Sequence, residues 1–317
     1  MLLSSDYAHP VPTSAWLIWR EHWLYFLVDP ERNCYVTVHI ATQPTARNAH
    51  WTCNLVIDGV VSSHKGDVAY PKHEAFAREL KVGPLTMTIV SPQEEFEVSF
   101  DGPNHRVNMT LRARMPLFDY LACGDANPDV PSIAQEVSMG FGTFRHHNQS
   151  LTGEGVIEFK DGSPARKLRG TAYRDHSWGM RNDQMNKRHT WAWMNFPNMT
   201  LHVTHVERTV PVEKWTREGY VATPKGALAL TSSEVQFSES RDEEGLPTSV
   251  RFIAVDSDGN THKVSCDLSK RFARNILTSM KATSVQYFMF HHFTRMTLEE
   301  TGEEGIGLVE IGILREV

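Results

Sequence analysis

The sequence predicts a mainly β protein made of two consecutive antiparallel β-barrel or β-sandwich domains. Short apolar runs alternate with polar residues at a period of two, and turn signals separate them roughly every 8–12 residues. Strands and amphipathic helices do not alternate along the chain, which argues against a doubly wound parallel sheet. The length of 317 residues favours two domains, because single domains most often hold about 100–150 residues.

The first half supplies the clearest strands. Apolar or alternating runs occupy residues 23–28, 34–40, 51–56, 60–61, 96–100, 107–115, 144–150 and 153–160. Asp58-Gly59 is a favoured two-residue hairpin turn, and residues 101–104 form a second turn. Residues 70–80 are the helical candidate of this half, and residues 119–135, rich in Gly and Pro, are expected to form a long loop.

The second half repeats this pattern of short strands. Its predicted strands lie at residues 190–194, 201–206, 219–221, 250–255, 262–266, 287–298 and 306–314. A short helix is expected within residues 267–282. The half-polar segment 182–187 is the best candidate boundary, so we expect one domain over residues 1–184 and another over residues 185–317.

The composition restricts the classes of partner. The net charge is −6, with 40% hydrophobic and 22% charged residues, as in ordinary globular proteins. Nucleic acids and anionic membranes attract clustered positive charge, so neither is expected as the main partner. The oligomeric state, including a homodimer, stays open.

The expected location is the cytoplasm. The N-terminus lacks the basic and apolar regions of a signal peptide, and no stretch reaches 18 apolar residues, so no membrane span is expected. The cysteines are widely spaced and form no CxxC pair, which suits free thiols in a reducing compartment. They are Cys34, Cys53, Cys123 and Cys266.

One stretch concentrates proton-transfer groups beside large aromatic rings. From Gly170 to Arg181 the chain reads Gly-Thr-Ala-Tyr-Arg-Asp-His-Ser-Trp-Gly-Met-Arg, and His189, Trp191 and Trp193 follow. We place the candidate active site here.

Strand alternation divides this motif between two faces. Tyr173, Asp175 and Ser177 would share one face, and Arg174, His176 and Trp178 the other. If the first face lines a cavity, Asp175 loses water there, which favours a protonated carboxyl able to give a proton to an alkene, an enol or a leaving hydroxyl. The alternative is structural: Asp175 pairs with Arg174 or Arg181 and fastens two strands.

Other candidates have similar double interpretations. His189, Trp191 and Trp193 would share one strand face. They would form either the aromatic wall of a ligand site or core packing between the domains. Glu310 lies in an apolar strand. It would be either a second carboxylate of the cavity or the partner of a buried arginine, and we favour the arginine partner.

The common nucleotide-binding motifs and the hydrolase nucleophile motif are missing from the sequence. It contains no GxGxxG, no GxxxxGK[ST] and no GxSxG pattern. The histidine pairs 146/147, 202/205 and 291/292 would each point to opposite strand faces, so none offers two metal ligands by itself. We therefore expect no metal site.

The motif from Gly170 to Arg181, with His189-x-Trp191-x-Trp193, resembles the lipocalin-like carotenoid 1,2-hydratase (hydroxyneurosporene synthase) superfamily. It is most similar to a soluble bacterial branch of paired domains of unknown function. The segment His147-Asn-Gln-Ser150 and the closing Gly305-x-Gly307-x-x-Glu310 also resemble that superfamily. The resemblance implies two consecutive lipocalin-like (calycin-like) β-domains, a hydrophobic cavity, and neither metal nor organic cofactor.

The resemblance also implies roles for individual residues. Members hydrate carotenoid double bonds, and related fungal proteins shape polyenes for Diels–Alder cyclisation. The motif aspartate is their proposed proton donor, assisted by a tyrosine two residues earlier and by an upstream histidine, which implies Asp175, Tyr173 and either His147 or His146 here. Ser177 stands where the carotenoid enzymes tend to carry Asn, which argues against a carotenoid substrate.

Our hypothesis is a cofactor-independent hydratase, dehydratase or cyclase-isomerase that acts on an apolar isoprenoid, steroid or polyketide-like molecule. Asp175 would be the general acid, with Tyr173 and His176 tuning or relaying the proton. Trp178, Trp191 and Trp193 would shape the cavity, while Arg174 and Arg181 hold the strands or a polar end of the ligand. The rival functions are a non-catalytic carrier of small lipids and a pericyclase that holds a reactive conformer.

Overall fold

The computed structural model describes residues 5–9, 11, 19–44, 46–70, 78–126, 145–180, 186–208, 216–282 and 285–316. The described chain consists almost entirely of antiparallel strands, which confirms the predicted fold class. It divides into two compact units, Met1–Asp119 with Val137–Asn182, and Tyr120–Glu136 with Asp183–Val317. The domain boundary expected at residues 184 and 185 stays a prediction.

The first unit is a curled antiparallel sheet. Its strands are β1 (Trp19–Asp29), β2 (Cys34–Gln43), β3 (Asn48–Ile57), β4 (Val60–Ala69), β5 (Glu79–Val82), β6 (Leu85–Ser91), β7 (Glu95–Asp101), β8 (His105–Ala113), β9 (Phe118–Asp119), β10 (Arg145–Phe159) and β11 (Arg166–Met180). They pair in the order β4-β3-β2-β1-β11-β10-β8-β7-β6-β5, and β9 pairs with β10. β5 and β6 contact β3, so the sheet almost closes into a barrel.

The second unit is a closed barrel. It contains a short helix α1 (Leu121–Ala126) and the strands β12 (Asn186–Phe196), β13 (Met199–Arg208), β14 (Thr216–Thr223), β15 (Gly226–Phe237), β16 (Ser249–Asp256), β17 (Thr261–Asp267), β18 (Ala273–Ala282), β19 (Val285–Leu298) and β20 (Glu303–Glu316). The order is β17-β16-β15-β14-β13-β12-β20-β19-β18, and a further pairing of β17 with β19 closes the ring.

Each barrel has a core of its own. In the first unit the alternating apolar residues of β7 and β8, such as Phe96, Val98 and Met109, are buried in one cluster. In the second unit Ala192, Met194 and their neighbours form a separate cluster. Burial of one side of each strand is what period-two alternation predicts.

Several local predictions need correction. Residues 267–282 hold a three-residue 3-10 turn, Leu268–Lys270, followed by strand β18, so the predicted helix is wrong there. The predicted helix over 70–80 ends in strand β5, and most of its remainder lies outside the described residues. The predicted loop begins with α1, and the two strands predicted over 144–160 are one strand, β10.

Within the described ranges, no helix has both the length and the apolarity that crossing a bilayer requires.

Candidate active site

β11 carries the predicted motif and divides it between two environments. Ala172 belongs to the core of the first barrel, so Arg174 and His176, two and four residues further on, also point into the barrel. Tyr173 and Asp175 point to the opposite, outer face. Arg174 and His176 are each 2% exposed and Tyr173 is 0% exposed, while the Asp175 side chain retains 13%.

On the outer face, Asp175 forms a hydrogen-bonded pair with His146. β10 and β11 align so that Asn148 stands opposite Asp175, and His146 stands opposite Ser177. Nε2 of His146 lies 2.6 Å from Oδ2 of Asp175, and the His146 side chain is 10% exposed. A carboxyl and an imidazole at this distance can hold one proton between them. The pair can therefore supply an acid to a molecule bound on this face.

Tyr173 shares the outer face with Asp175. The two residues are separated by two strand steps, about 6.6 Å along β11. The Tyr173 ring stacks on Phe26 of β1, with ring centroids 5.9 Å apart and planes 18° apart. This packing fixes the ring beside the acid pair.

His147 belongs to the barrel side of β10. It stands opposite His176 in the strand register, and its Nε2 lies 3.4 Å from Oδ2 of Asp119. Its ring meets Trp178 edge-on at 4.8 Å. Of the two histidines that the sequence left open, His146 is therefore the one that binds Asp175.

Arg174 is bound to a carboxylate other than Asp175. Its Nη1 donates to Oδ1 of Asp6 at 2.7 Å, and its Nε donates to Oε1 of Gln149 at 2.8 Å. Its guanidinium also lies 4.6 Å from the centroid of the Phe96 ring. Arg174 thus fastens the N-terminal segment to the barrel. Asp175 therefore pairs with His146 and not with Arg174. Arg181, the other predicted arginine partner, lies outside the described residues.

Inside the barrel, His176 belongs to a second titratable cluster. Oε1 of Glu21 lies 3.0 Å from Nε2 of His176 and 2.7 Å from Nδ1 of His9. Burial raises the pKa of Glu21 well above its usual range, although the backbone N–H of His9 acts in the opposite direction. Burial, reinforced by His9 and Arg174, lowers the pKa of His176 well below its usual range. Trp178 stacks on His9 at 4.0 Å, with the ring planes 5° apart.

In the second unit, Glu310 is held between two histidines. His189 on β12 hydrogen-bonds one carboxylate oxygen, and His291 on β19 contacts the other. Nδ1 of His189 lies 2.6 Å from the hydroxyl of Tyr287. Burial acts to raise the pKa of Glu310, but the two histidines outweigh it and hold that pKa below its usual range. The expected arginine partner is thus replaced by two imidazoles.

The predicted aromatic residues Trp191 and Trp193 share the strand face of His189. Trp191 stands opposite Glu310 in the pairing of β12 with β20. Its ring meets His202 edge-on at 4.6 Å, and His202 in turn stacks on Tyr220 at 5.4 Å. Trp193 is 0% exposed. Within this unit the structure brings together His189, Trp191 and Glu310, all three of which the sequence singled out.

A recess of about 660 Å³ opens on the first unit, away from the motif. Its lining is mixed, with Glu97, Asn108, Glu154 and Lys167 beside Val98 and Met109. None of the described candidate residues lines it. We therefore assign the chemistry to the hydrogen-bonded clusters and give this recess no role.

Sequence reasoning missed six titratable residues of these clusters. They are Asp6, His9, Glu21, Asp119, Tyr287 and His291. Glu21 carried a usable signal, because Trp19, Glu21, Trp23 and Tyr25 share one face of β1 by alternation, and a lone carboxylate among aromatic rings is unusual. His291 was noticed only as the neighbour of His292. For Asp6 and His9 the sequence offers no periodic signal.

Comparisons with known proteins agree with this architecture. The structure of kievitone hydratase from Nectria haematococca is similar, with a TM-score of 0.59, 12% identity and coverage of 92% of this chain and 88% of that one. An AttH-like protein from Nitrosomonas europaea has a TM-score of 0.65 at 13% identity, with 92% of each chain covered. CghA, solved with Sch210972, has a TM-score of 0.64 at 11% identity and covers 98% of this chain and 94% of that chain. At these identities the likeness establishes a shared fold.

No curated protein matches the sequence. The model of a domain of unknown function, DUF7064, matches residues 3–314. The shared fold bears out, at the level of architecture, the resemblance that the motif indicated. The chain therefore belongs to the DUF7064 family of domains of unknown function.

Proposed function

We propose that this protein is an acid–base catalyst of hydration, dehydration or cyclisation, acting on an apolar small molecule. The observation that carries the proposal is the hydrogen bond of 2.6 Å between Asp175 and His146. Both side chains are largely shielded from water yet retain some exposure. That combination suits a proton donor, because the group must keep its proton in a dry site and still reach a ligand.

The chemistry requires only a proton and water. In the hydration direction, the electron pair of a carbon–carbon double bond takes the proton of the Asp175–His146 pair and forms a C–H bond. Water then adds to the resulting carbocation, and its surplus proton returns to the pair. Dehydration is the reverse. In cyclisation a second double bond attacks the cation, and the new carbocation then loses a proton to the pair, which forms a double bond and restores the acid.

Other residues of the first unit act around this pair. Tyr173, packed on Phe26 beside Asp175, would orient the substrate or relay the proton. His176 lies on the opposite face of β11 and hydrogen-bonds Glu21. We therefore assign His176 no part in the proton transfer to substrate.

In the second unit, His189 and Trp191 lie beside Glu310 on one face of β12, and we assign ligand contact in that unit to them. Trp193 shares that strand face but is fully buried. The substrate class we favour is an isoprenoid, steroid or polyketide-like molecule.

The fold supports the proposal. One protein with this fold is named a hydratase, and another was solved with the small molecule Sch210972. Their identities to this chain are only 12% and 11%, so they support the class of chemistry and leave the substrate to experiment.

The test is mass spectrometry of isoprenoid, steroid and polyene substrates incubated with the protein in ¹⁸O-water. We expect wild type to add label or to remove a hydroxyl, and Asp175→Asn to lose about 10²- to 10⁴-fold in rate. His146→Asn should lose a comparable factor because it removes the partner that shares the proton. Asp67→Asn is the matched control, since Asp67 forms an exposed pair with His50 on β3 and β4.

Other outcomes distinguish the rival functions. A product of unchanged mass, formed equally by wild type and Asp175→Asn but lost in Trp191→Ala, would point to a pericyclase that works by holding a conformer. Tight binding without turnover across the panel would make the protein a carrier. Either result would remove the general-acid proposal.

A further inference from the structure

The cluster of His9, Glu21 and His176 has the donor set of a metal centre. The three side chains come from separate parts of the first unit: the N-terminal segment, β1 and β11. Each offers one ligand atom, and these atoms all lie within 4.8 Å of one another. Glu21 and His176 are 2% exposed, and the His9 side chain is 21% exposed.

The distances suit a single ion. Zinc–nitrogen and zinc–oxygen bonds are about 2.0–2.2 Å long, so ligand atoms around one ion stand about 3–3.5 Å apart. Oε1 of Glu21 lies 2.7 Å from Nδ1 of His9 and 3.0 Å from Nε2 of His176. The three atoms lie within 4.8 Å of one another, so small side-chain movements toward a spacing of about 3–3.5 Å would place an ion among them.

The two imidazole rings are held in place by indoles. His9 stacks on Trp178 at 4.0 Å, and His176 stacks on Trp23 at 4.9 Å with the planes 18° apart. Such packing fixes ring orientation before a ligand arrives, which is how supporting residues preorganise metal centres. Two histidines and one carboxylate leave further positions for water, as in mononuclear sites with nitrogen and oxygen donors.

We propose that His9, Glu21 and His176 bind one divalent transition-metal ion of the zinc class. The ion ties the N-terminal segment to β1 and β11 from inside the first barrel. The site lies on the face of β11 opposite Asp175, so it is separate from the acid pair and takes no part in the proton transfer proposed above. It departs from the expectation, drawn from the sequence, that the chain binds no metal.

The test is metal retention by the full chain after removal of any affinity tag, which would itself bind ions. Wild type is incubated with ZnCl₂, dialysed and analysed for zinc, and in parallel titrated with Co²⁺ while visible absorption is recorded. We expect one zinc per chain, Co²⁺ ligand-field bands, and a melting temperature that rises with zinc because only the folded state binds it. His9→Gln should weaken retention about tenfold or more.

The controls separate a built site from adventitious binding. His50→Gln removes one imidazole from the exposed His50–Asp67 pair and should retain zinc as wild type does. Glu21→Gln tests the carboxylate, and if that buried change prevents folding, His9→Gln decides alone because His9 is partly exposed. Substoichiometric zinc in wild type, or equal retention in wild type and His9→Gln, would overturn the proposal and leave a hydrogen-bonded His–Glu–His cluster.

Discussion

Asp175 and His176 are consecutive in the chain, yet their side chains belong to different clusters on opposite faces of β11. Asp175 hydrogen-bonds His146 at 2.6 Å on the outer face, and His176 hydrogen-bonds Glu21 at 3.0 Å inside the barrel. The proposed acid and the proposed metal ligand are thus separated by a single strand. Substitutions at these two neighbours should therefore have different consequences.

The first prediction compares Asp175→Asn with His176→Asn. The first change should lower turnover by about 10²- to 10⁴-fold with little effect on the melting temperature. The second should chiefly lower stability, by about 1–3 kcal/mol, because it leaves a buried carboxyl with one imidazole fewer. Turnover and thermal unfolding are measured on both variants. Equal losses of turnover and stability in the two would contradict the assignment of separate clusters.

The second prediction concerns Arg174, which is buried against Asp6. Arg174→Met leaves the Asp6 carboxylate, 1% exposed, without its main counter-charge and should cost about 3–5 kcal/mol. The double variant Arg174→Met with Asp6→Asn should recover part of that loss. Arg166→Met is the control on the same strand, since its pair with Asp58 is exposed and should be worth under about 1 kcal/mol. Thermal unfolding supplies the comparison, and a double variant no more stable than Arg174→Met would count against the pairing.

The third prediction concerns Glu310 between His189 and His291. Because the two histidines outweigh burial and hold the pKa of Glu310 below its usual range, its ionised form contributes stability above about pH 4.5 and loses that contribution as the pH falls further. Glu310→Gln should cost about 2–4 kcal/mol at neutral pH, and its difference from wild type should shrink in acid. Glu304→Gln on the same strand, in an exposed pair with Arg295, should be near neutral. A difference that does not change with pH would refute this account of Glu310.

The fourth prediction is a loss of stability on acidification caused by His292 in the second barrel. Burial, reinforced by Arg271 and Arg274, lowers the pKa of His292 to about 3, while an unfolded chain titrates near pH 6.5. Between these values the unfolded state binds the extra proton, so the free energy of unfolding falls as the pH drops, by up to about 1.4 kcal/mol per unit. His292→Leu should flatten this slope in a series of melting curves from pH 7 to pH 4. A wild-type slope in His292→Leu would exclude this residue as the cause.

Much of the fold was accessible from the sequence because strands with one buried face display a period of two. Phe96, Val98 and Phe100 are an example, and all three are buried. The Asp58-Gly59 turn was equally readable, since both residues adopt positive φ angles, 52° and 80°, which this pair tolerates well. Strand β18 was missed because Arg274, Leu277 and Lys281 suit a helix by composition. Its pairing with β19 overrides that preference, as tertiary context often does for strands.

Only the tertiary structure explains why the motif begins with a glycine, Gly170. A Cβ at Gly170 would lie 2.0 Å from the carbonyl oxygen of Val28 on the neighbouring strand. No side chain larger than hydrogen fits there without moving backbone. Nothing in the local sequence around Gly170 indicates that contact, because Val28 is far away along the chain.

The sequence by itself determined which residues share a face: Tyr173 with Asp175, and Arg174 with His176. That follows from the pleat, a local property of any extended chain. The tertiary structure alone decided the hydrogen-bond partners of these side chains. Asp175 pairs with His146, Arg174 with Asp6, and His176 with Glu21. The last two pairs span 168 and 155 residues. Such pairs depend on which strands pair and in what register, and the burial of both barrel cores, not local periodicity, fixes that register.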